Sequence, residues 1–197
     1  MAITLNGGTG VITGVSVGGL PDGVVDSGTL ATNSVDSAEL IDGSIDASHL
    51  AAAIKAGPYV RAYVNSTHSN ITNNVFTKVI LNGESYDTAS EFDPSTNYRW
   101  TCGTAGKYLA TANLTWDQPG MVADKRHKVM IYKNGSQTSH NETWTAVGGE
   151  FSQSVTDVYD MSATDYLEMY CWHLAGVDTP DVQAGAQTTW FAIASII

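Results

Sequence analysis

A ten-residue beat runs through residues 25–50 of this chain. Val25-Asp26-Ser27-Gly28-Thr29-Leu30 is followed by Val35-Asp36-Ser37-Ala38-Glu39-Leu40 and then by Ile45-Asp46-Ala47-Ser48-His49-Leu50. Each copy opens on a β-branched residue and closes on a leucine: Val25 and Leu30, Val35 and Leu40, Ile45 and Leu50. Two apolar side chains per copy cannot enclose a core. The copies must therefore stack on neighbouring repeats or on other chains. That limits this part of the molecule to an extended, multi-chain stalk, a layout that suits a structural or adhesive appendage.

The flanking sequence sets the limits of the stalk. Residues 1–24 are Gly-rich, and Gly7-Gly8-Thr9-Gly10 reads as a turn between two short strands. No Lys-Ser or Lys-Thr follows these glycines, as a phosphate loop would require. Asp36-x-x-Glu39 and Asp46-x-x-His49 read as single helical turns opened by a capping Asp. Residues 47–56 favour a short helix, which Gly57-Pro58 ends. The expected organisation is an attachment segment at 1–24, a repeat stalk at 25–57 and a head at 58–197.

From Tyr59 the hydrophobic period becomes two. Tyr108, Ala110, Ala112, Leu114 and Trp116 alternate with smaller or more polar residues, the pattern of a strand with one large apolar face. Val129 to Tyr132 reads as a strand closed by the turn Lys133-Asn134-Gly135, and Tyr166 to Trp172 as another. The run Trp190 to Ile197 is apolar on both faces, which places it centrally and predicts cover from a second subunit. Many short strands with turns between them predict an all-β sandwich or jelly roll.

The chain carries 20 Asp and Glu against 9 Lys and Arg, a formal net charge of −11. This excludes a nucleic-acid backbone as partner. No stretch is long enough to cross a bilayer, and Met1 to Asn6 lacks the charged start of a secretory signal, so synthesis in a cytoplasm is expected. Cys102 and Cys171 sit in strand-like sequence and read as two buried thiols or a disulfide. The histidines are scattered and no Gly-x-Ser-x-Gly elbow occurs, so the chain reads as non-enzymatic, with no cofactor and no metal centre. Asp157, Asp160 and Asp165 read as solvated loop carboxylates, with calcium ligation as the sharper reading.

Several segments resemble a known head domain. Trp100-Thr101-Cys102-Gly103-Thr104-Ala105-Gly106-Lys107-Tyr108, followed by Ala110, Leu114 and Trp116, resembles a signature of the complement-component-one-q and tumour-necrosis-factor-like jelly rolls. Phe76 to Val79, Tyr86-Asp87, Phe92-Asp93 and Lys133-Asn134-Gly135 are similar to other segments of that family. So is Met161-Ser162-Ala163-Thr164-Asp165-Tyr166-Leu167, where Thr164 replaces the usual Gly. At the end, Ile193 stands where the family has Gly after the aromatic Phe191. The resemblance implies a ten-stranded jelly roll with both termini at its base, trimerising through apolar faces. The residues expected at that interface are Tyr108, Trp116, Trp190, Phe191, Ile193 and Ile196. The Gly-rich start and the Val-Asp-Ser-x-x-Leu repeats resemble bacteriophage tail fibres and related virion appendages.

Three segments interrupt the head strands with residues suited to contact. The first runs from Asp117 to Lys128 and holds the densest basic cluster, Lys125-Arg126-His127-Lys128. The second, Gln137 to Glu150, contains His140, Asn141 and Trp144. The third, Leu174 to Gln187, contains Asp178 and Asp181. An up-and-down count of strands places these segments largely at the end away from the termini. Trp144 reads equally as an exposed platform for a sugar ring or as sandwich core. The leading expectation is a homotrimeric virion tail fibre or tip, made in the host cytoplasm. Its first segment docks on other virion proteins and its head binds a host-surface receptor, a carbohydrate by preference. The alternative is a capsid-decorating or head-fibre trimer docked through residues 1–57.

Overall fold

A computed structural model describes residues 4–6, 11–13, 57–117, 123–145, 148–176 and 179–196. The chain divides into two units, Met1–Ala51 and Ala52–Ile197. In the first, β1 (Thr4–Asn6) pairs antiparallel with β2 (Val11–Thr13), Thr4 opposite Thr13. Their spacing leaves the Gly-Gly-Thr-Gly run as the connection. The repeats, with Val25, Leu30, Val35, Leu40, Ile45 and Leu50, and the expected helix at 47–56, lie outside the described residues.

The second unit is a sandwich of two antiparallel sheets. Its strands are β3 (Tyr59–Tyr63), β4 (Thr77–Lys78), β5 (Gly83–Asp87), β6 (Phe92–Asp93), β7 (Arg99–Thr101), β8 (Gly106–Asp117), β9 (Arg126–Lys133), β10 (Ser136–Trp144), β11 (Phe151–Met161), β12 (Tyr166–Leu174), β13 (Asp181–Val182) and β14 (Trp190–Ile196). The first sheet runs β11-β8-β14-β3-β5, with β13 added on β8. The second runs β10-β9-β12-β7-β6, with β4 added on β12. Ten strands form the two continuous paths, the number the jelly-roll resemblance implies, and β4 and β13 are two-residue additions.

The period of two builds the core. Tyr108, Ala110, Ala112, Leu114 and Trp116 all face inward from β8 and are buried, as are Phe191 and Ile193 on β14. From the second sheet come Val129, Ile131, Leu167, Met169 and Cys171. Each large side chain so enclosed contributes on the order of 2–3 kcal/mol. Cys102 and Cys171 are both buried free thiols. Asn134 (φ 52°) and Gly135 (φ 77°) make the expected tight turn between β9 and β10, both in the left-handed region that a two-residue hairpin demands. Thr164 also has a left-handed φ of 77°, which explains why the resembling family prefers Gly there.

This geometry corrects four expected interface residues. Tyr108, Trp116, Phe191 and Ile193 are at most 3% exposed within one protomer, so they cannot form a surface between protomers. Their apolar character reflects the inward parity of their strands. Trp190 and Ile196 have the opposite parity on β14 and do reach the outer face. His127 needs the same correction: it shares the inward parity of Val129 and Ile131 and is fully buried, so it presents no receptor contact.

Register also fixes the two ends of the head. Gly106 lies opposite Met161, Lys107 opposite Ile196, and the Ser195 amide donates to the Pro58 carbonyl (3.2 Å). The start and finish of the head therefore share one end, its base. Trp116 opposite Phe151, Asp117 opposite Asp181 and Arg126 opposite Trp144 mark the other, distal end.

Candidate functional site at the distal end of the second sheet

The outward parity of three adjacent strands assembles one surface. Arg126 and Lys128 project from β9, Glu142 and Trp144 from β10, and Trp172 from β12. The register sets Trp144 opposite Arg126, Glu142 opposite Lys128, and Trp172 opposite Lys128 on its other side. The Arg126 guanidinium carbon lies 5.7 Å from the centroid of Trp144 and 5.7 Å from that of Trp172, and the Lys128 ammonium lies 5.0 Å from Trp172. Such contacts are worth about 0.5–2 kcal/mol each, more as water is excluded. Phe76 stacks on Trp172 at 6.2 Å, and the Trp172 indole N–H donates to Asn74 Oδ1 (3.2 Å). Trp172 is thereby buried as the floor of the surface, while Trp144 stands 64% exposed at its distal edge.

Glu142 organises the cations. One of its oxygens pairs with Arg126 Nε, and the other lies 2.8 Å from Lys128 Nζ. The Arg126 hydrogen bond first, then that of Lys128, hold its carboxyl down to about 2. It is ionised at every physiological pH and fixes both side chains against the aromatic rings.

Beside Trp144 opens a shallow cleft of about 220 Å³, lined by Thr143, Trp144, Thr145, Gly148, Gly149, Glu150 and Phe151. Glu150 accepts from the Gln183 side-chain amide (2.9 Å). The Thr145 hydroxyl accepts from the Lys125 amide (3.2 Å), which ties the cleft to the segment before β9. The wall also reaches the core, because Phe151 packs edge-on against His127 at 5.3 Å. His127 in turn meets Trp116 at 5.0 Å and His173 at 6.0 Å. His173 donates from Nε2 to the Ile71 carbonyl (2.7 Å) and accepts at Nδ1 from the Ala175 amide (3.2 Å), so its ring is the neutral Nε2–H tautomer. Burial, then the proximity of His173, press His127 down to about 4, with the Lys125 carbonyl pulling weakly the other way.

Of the residues singled out from sequence, Arg126, Lys128 and Trp144 come together here, and Lys125 adjoins them. His140 is exposed on β10 but four residues from Trp144, roughly 13 Å along the strand, and lies 3.3 Å from the Gln137 amide. Asn141 donates to the Ser154 carbonyl (2.9 Å), closing the sandwich edge between β10 and β11. Asp117 and Asp181 face each other on the first sheet, and Asp181 accepts from the Asn70 amide (2.7 Å). Asp178 lies outside the described residues. Asp157 pairs with the Ser139 hydroxyl, Asp160 lies 3.7 Å from Lys107, and Asp165 is held by Asn134, Ser162 and Lys133. Among the described residues no three His, Cys, Asp or Glu converge as a metal site.

Sequence reasoning missed Glu142, Trp172, Phe76, Glu150 and Phe151. A signal existed for Trp172: with Cys171 and Met169 inward, its parity points out, beside the basic cluster. No comparable signal marked Glu142, since its strand lacks apolar alternation.

The sequence matches no protein-family model and no curated protein. The fold matches solved structures. The globular domain of the zebrafish complement 1qA protein superposes with a TM-score of 0.52 at 14% identity, covering 72% of this chain and 98% of that one. Eiger TNF from S. frugiperda gives a TM-score of 0.56 at 7% identity, covering 73% and 94%. Murine APRIL at pH 5.0 gives 0.53 at 9% identity, covering 71% and 98%. The head is a complement-q and tumour-necrosis-factor-like jelly roll.

Proposed function

We propose that this chain is a homotrimeric attachment fibre of a bacteriophage, anchored to other virion proteins through its first segment, whose head binds a saccharide on the host surface. The observation that carries the reading is Trp144: a large aromatic, mostly exposed, held by Arg126 beside a hydroxyl-lined cleft at the end of the head farthest from its chain termini. The apolar face of a sugar ring fits an exposed indole, and covering that indole removes apolar surface from water. A distal position leaves the site free when the base is tethered.

Trimerisation draws support from the outer face of the first sheet. Val158, Leu109, Ala194 and Tyr59 form one continuous row across β11, β8, β14 and β3, and three of them are exposed while Ala194 is half-buried. Ile196 adjoins this row on its basal side, beside the ion pair of Lys107 and Asp160. Toward the distal end the rows mix polar and aromatic residues: Thr156, Thr111, Ala192 and Arg61, then Ser154, Asn113, Trp190 and Tyr63. A sheet face with one apolar row near its base fits symmetric packing of copies around an axis, with distal ends left open.

Two measurements test this reading. Light scattering of the full chain at micromolar concentration is expected to give three protomers. Electron microscopy of particles with a gold label on Met1 is expected to place the label at the particle and the head outermost. A monomeric chain, or a head lying flat on a capsid, would overturn it.

A further inference from the structure

The cationic half of the distal surface narrows the ligand class. Only 9 Lys and Arg occur in the whole chain, yet Lys125, Arg126 and Lys128 crowd into four consecutive positions beside Trp144. In a protein of net charge −11 this is the densest cluster of cations, with Asp124, Glu142 and Glu150 as its neighbouring carboxylates. Arg126 and Lys128 share the single carboxylate of Glu142, so these three side chains together keep one positive charge.

The donors of that charge are positioned. Glu142 engages Arg126 through Nε and leaves the terminal fork of the guanidinium, four N–H groups, with no hydrogen-bond acceptor among the described residues. The guanidinium carbon lies 5.7 Å from Trp144 on one neighbouring strand and 5.7 Å from Trp172 on the other. A guanidinium fixed in this way loses little freedom on binding and matches a two-oxygen acid. A neutral sugar offers this fork only hydroxyl oxygens, whose hydrogen bonds are about half as strong as those of an ionised acid.

On the cleft side the chemistry differs. Thr143 offers a hydroxyl and Glu150 a carboxylate, which repels an acid but accepts from sugar hydroxyls. The two sides of Trp144 are thus complementary to two parts of one ligand. Resting on the saccharide reading above, we infer that the ligand is an anionic saccharide: a ring stacks at Trp144 with its hydroxyls toward Thr143 and Glu150, and its acid, a sugar carboxylate or a phosphate ester, meets the Arg126 fork.

The test is direct binding of the full chain to an immobilised panel of neutral, carboxylated and phosphorylated glycans. Carboxyl-reduced forms of the carboxylated members and dephosphorylated forms of the phosphorylated members serve as matched controls. Acidic members are expected to be retained, and removing the acid is expected to weaken binding at least tenfold. The carboxylated and phosphorylated arms distinguish the source of the acid. Arg126→Gln, verified as folded by an unchanged melting curve, is expected to lose the preference for acidic members. Glu142→Gln removes the competing carboxylate and is expected to tighten acidic binding several-fold, an effect a purely structural role for this pair would not produce. Retention of neutral glycans equal to that of their acidic counterparts, or Arg126→Gln binding like wild type, would overturn the inference and leave saccharide attachment standing. Absence of binding to every glycan would overturn the attachment reading and this inference with it.

Discussion

Acid should loosen this head from about pH 6.5 downward, and one buried residue sets the window. His127 is enclosed by Trp116, Phe151 and His173, and neither ring nitrogen meets a hydrogen-bond partner of normal geometry among the described residues. In the unfolded chain it titrates at an ordinary 6.5, and in the fold at about 4. Between these values the unfolded state binds a proton that the folded state refuses, so stability rises with pH across the interval. The slope is about 1.4 kcal/mol per pH unit, and the whole interval amounts to roughly 3 kcal/mol per protomer. His68, lowered by burial, acts in the same direction. The neighbouring cations Arg126 and Lys128 point to the opposite face of β9. Glu142 and Asp165 titrate near 2 in the fold, so their contributions are lost only as the pH falls from the ordinary carboxylate range toward 2. The assay is urea denaturation at fixed protein concentration from pH 7.5 to 4.5, for wild type and His127→Phe. Phenylalanine keeps the ring contacts and cannot titrate. The expected result is a wild-type slope that exceeds the variant's by about 1 kcal/mol per pH unit between 6 and 4.5, with the variant at least as stable at pH 7. Parallel slopes, or a His127 imidazole resonance titrating near 6.5, would refute the reasoning.

Other substitutions probe separate parts of the account. Thr164→Gly relieves a left-handed backbone at an exposed position and keeps the Thr164 amide bond to the Cys102 carbonyl; a net gain of about 0.5–1 kcal/mol is expected, read as a melting point a few degrees higher. Trp116→Ala empties the distal core and should cost about 3–5 kcal/mol in denaturant titrations. Val158→Asp places a charge in the apolar row of the first sheet, next to Leu109; it is expected to dissociate the proposed trimer in light scattering while circular dichroism stays unchanged.

The strands of the head were legible wherever one face had to be apolar. The alternation from Tyr108 to Trp116 and the Asn134-Gly135 turn both reappear in the structure, and β14 is central in its sheet, as its two-faced composition required. What alternation cannot separate is a core face from an interface face, because both are apolar. Trp116 and Phe191 were expected at the interface for that reason, and only the sandwich shows them enclosed. β10 was harder still. Ser136 to Trp144 has no apolar period, because an edge strand is held by its ladder to β9 and by polar closures such as Thr138 to the Ile131 carbonyl (2.9 Å). Trp144 therefore read as loop or core, and it is the exposed last residue of a strand. The basic cluster was visible in sequence. Its division into Arg126 and Lys128 outside and His127 inside follows from parity alone, once the segment is known to be β9.

The most direct test of the proposed attachment role is the binding of purified chain to host cells, wild type against Trp144→Ala. With 64% of its surface free, Trp144 carries little of the fold. The account predicts that melting temperature and trimer mass stay the same while cell binding falls at least tenfold, the loss of ~1–2 kcal/mol of ring stacking per site. Unchanged cell binding by a folded, trimeric Trp144→Ala chain would contradict it.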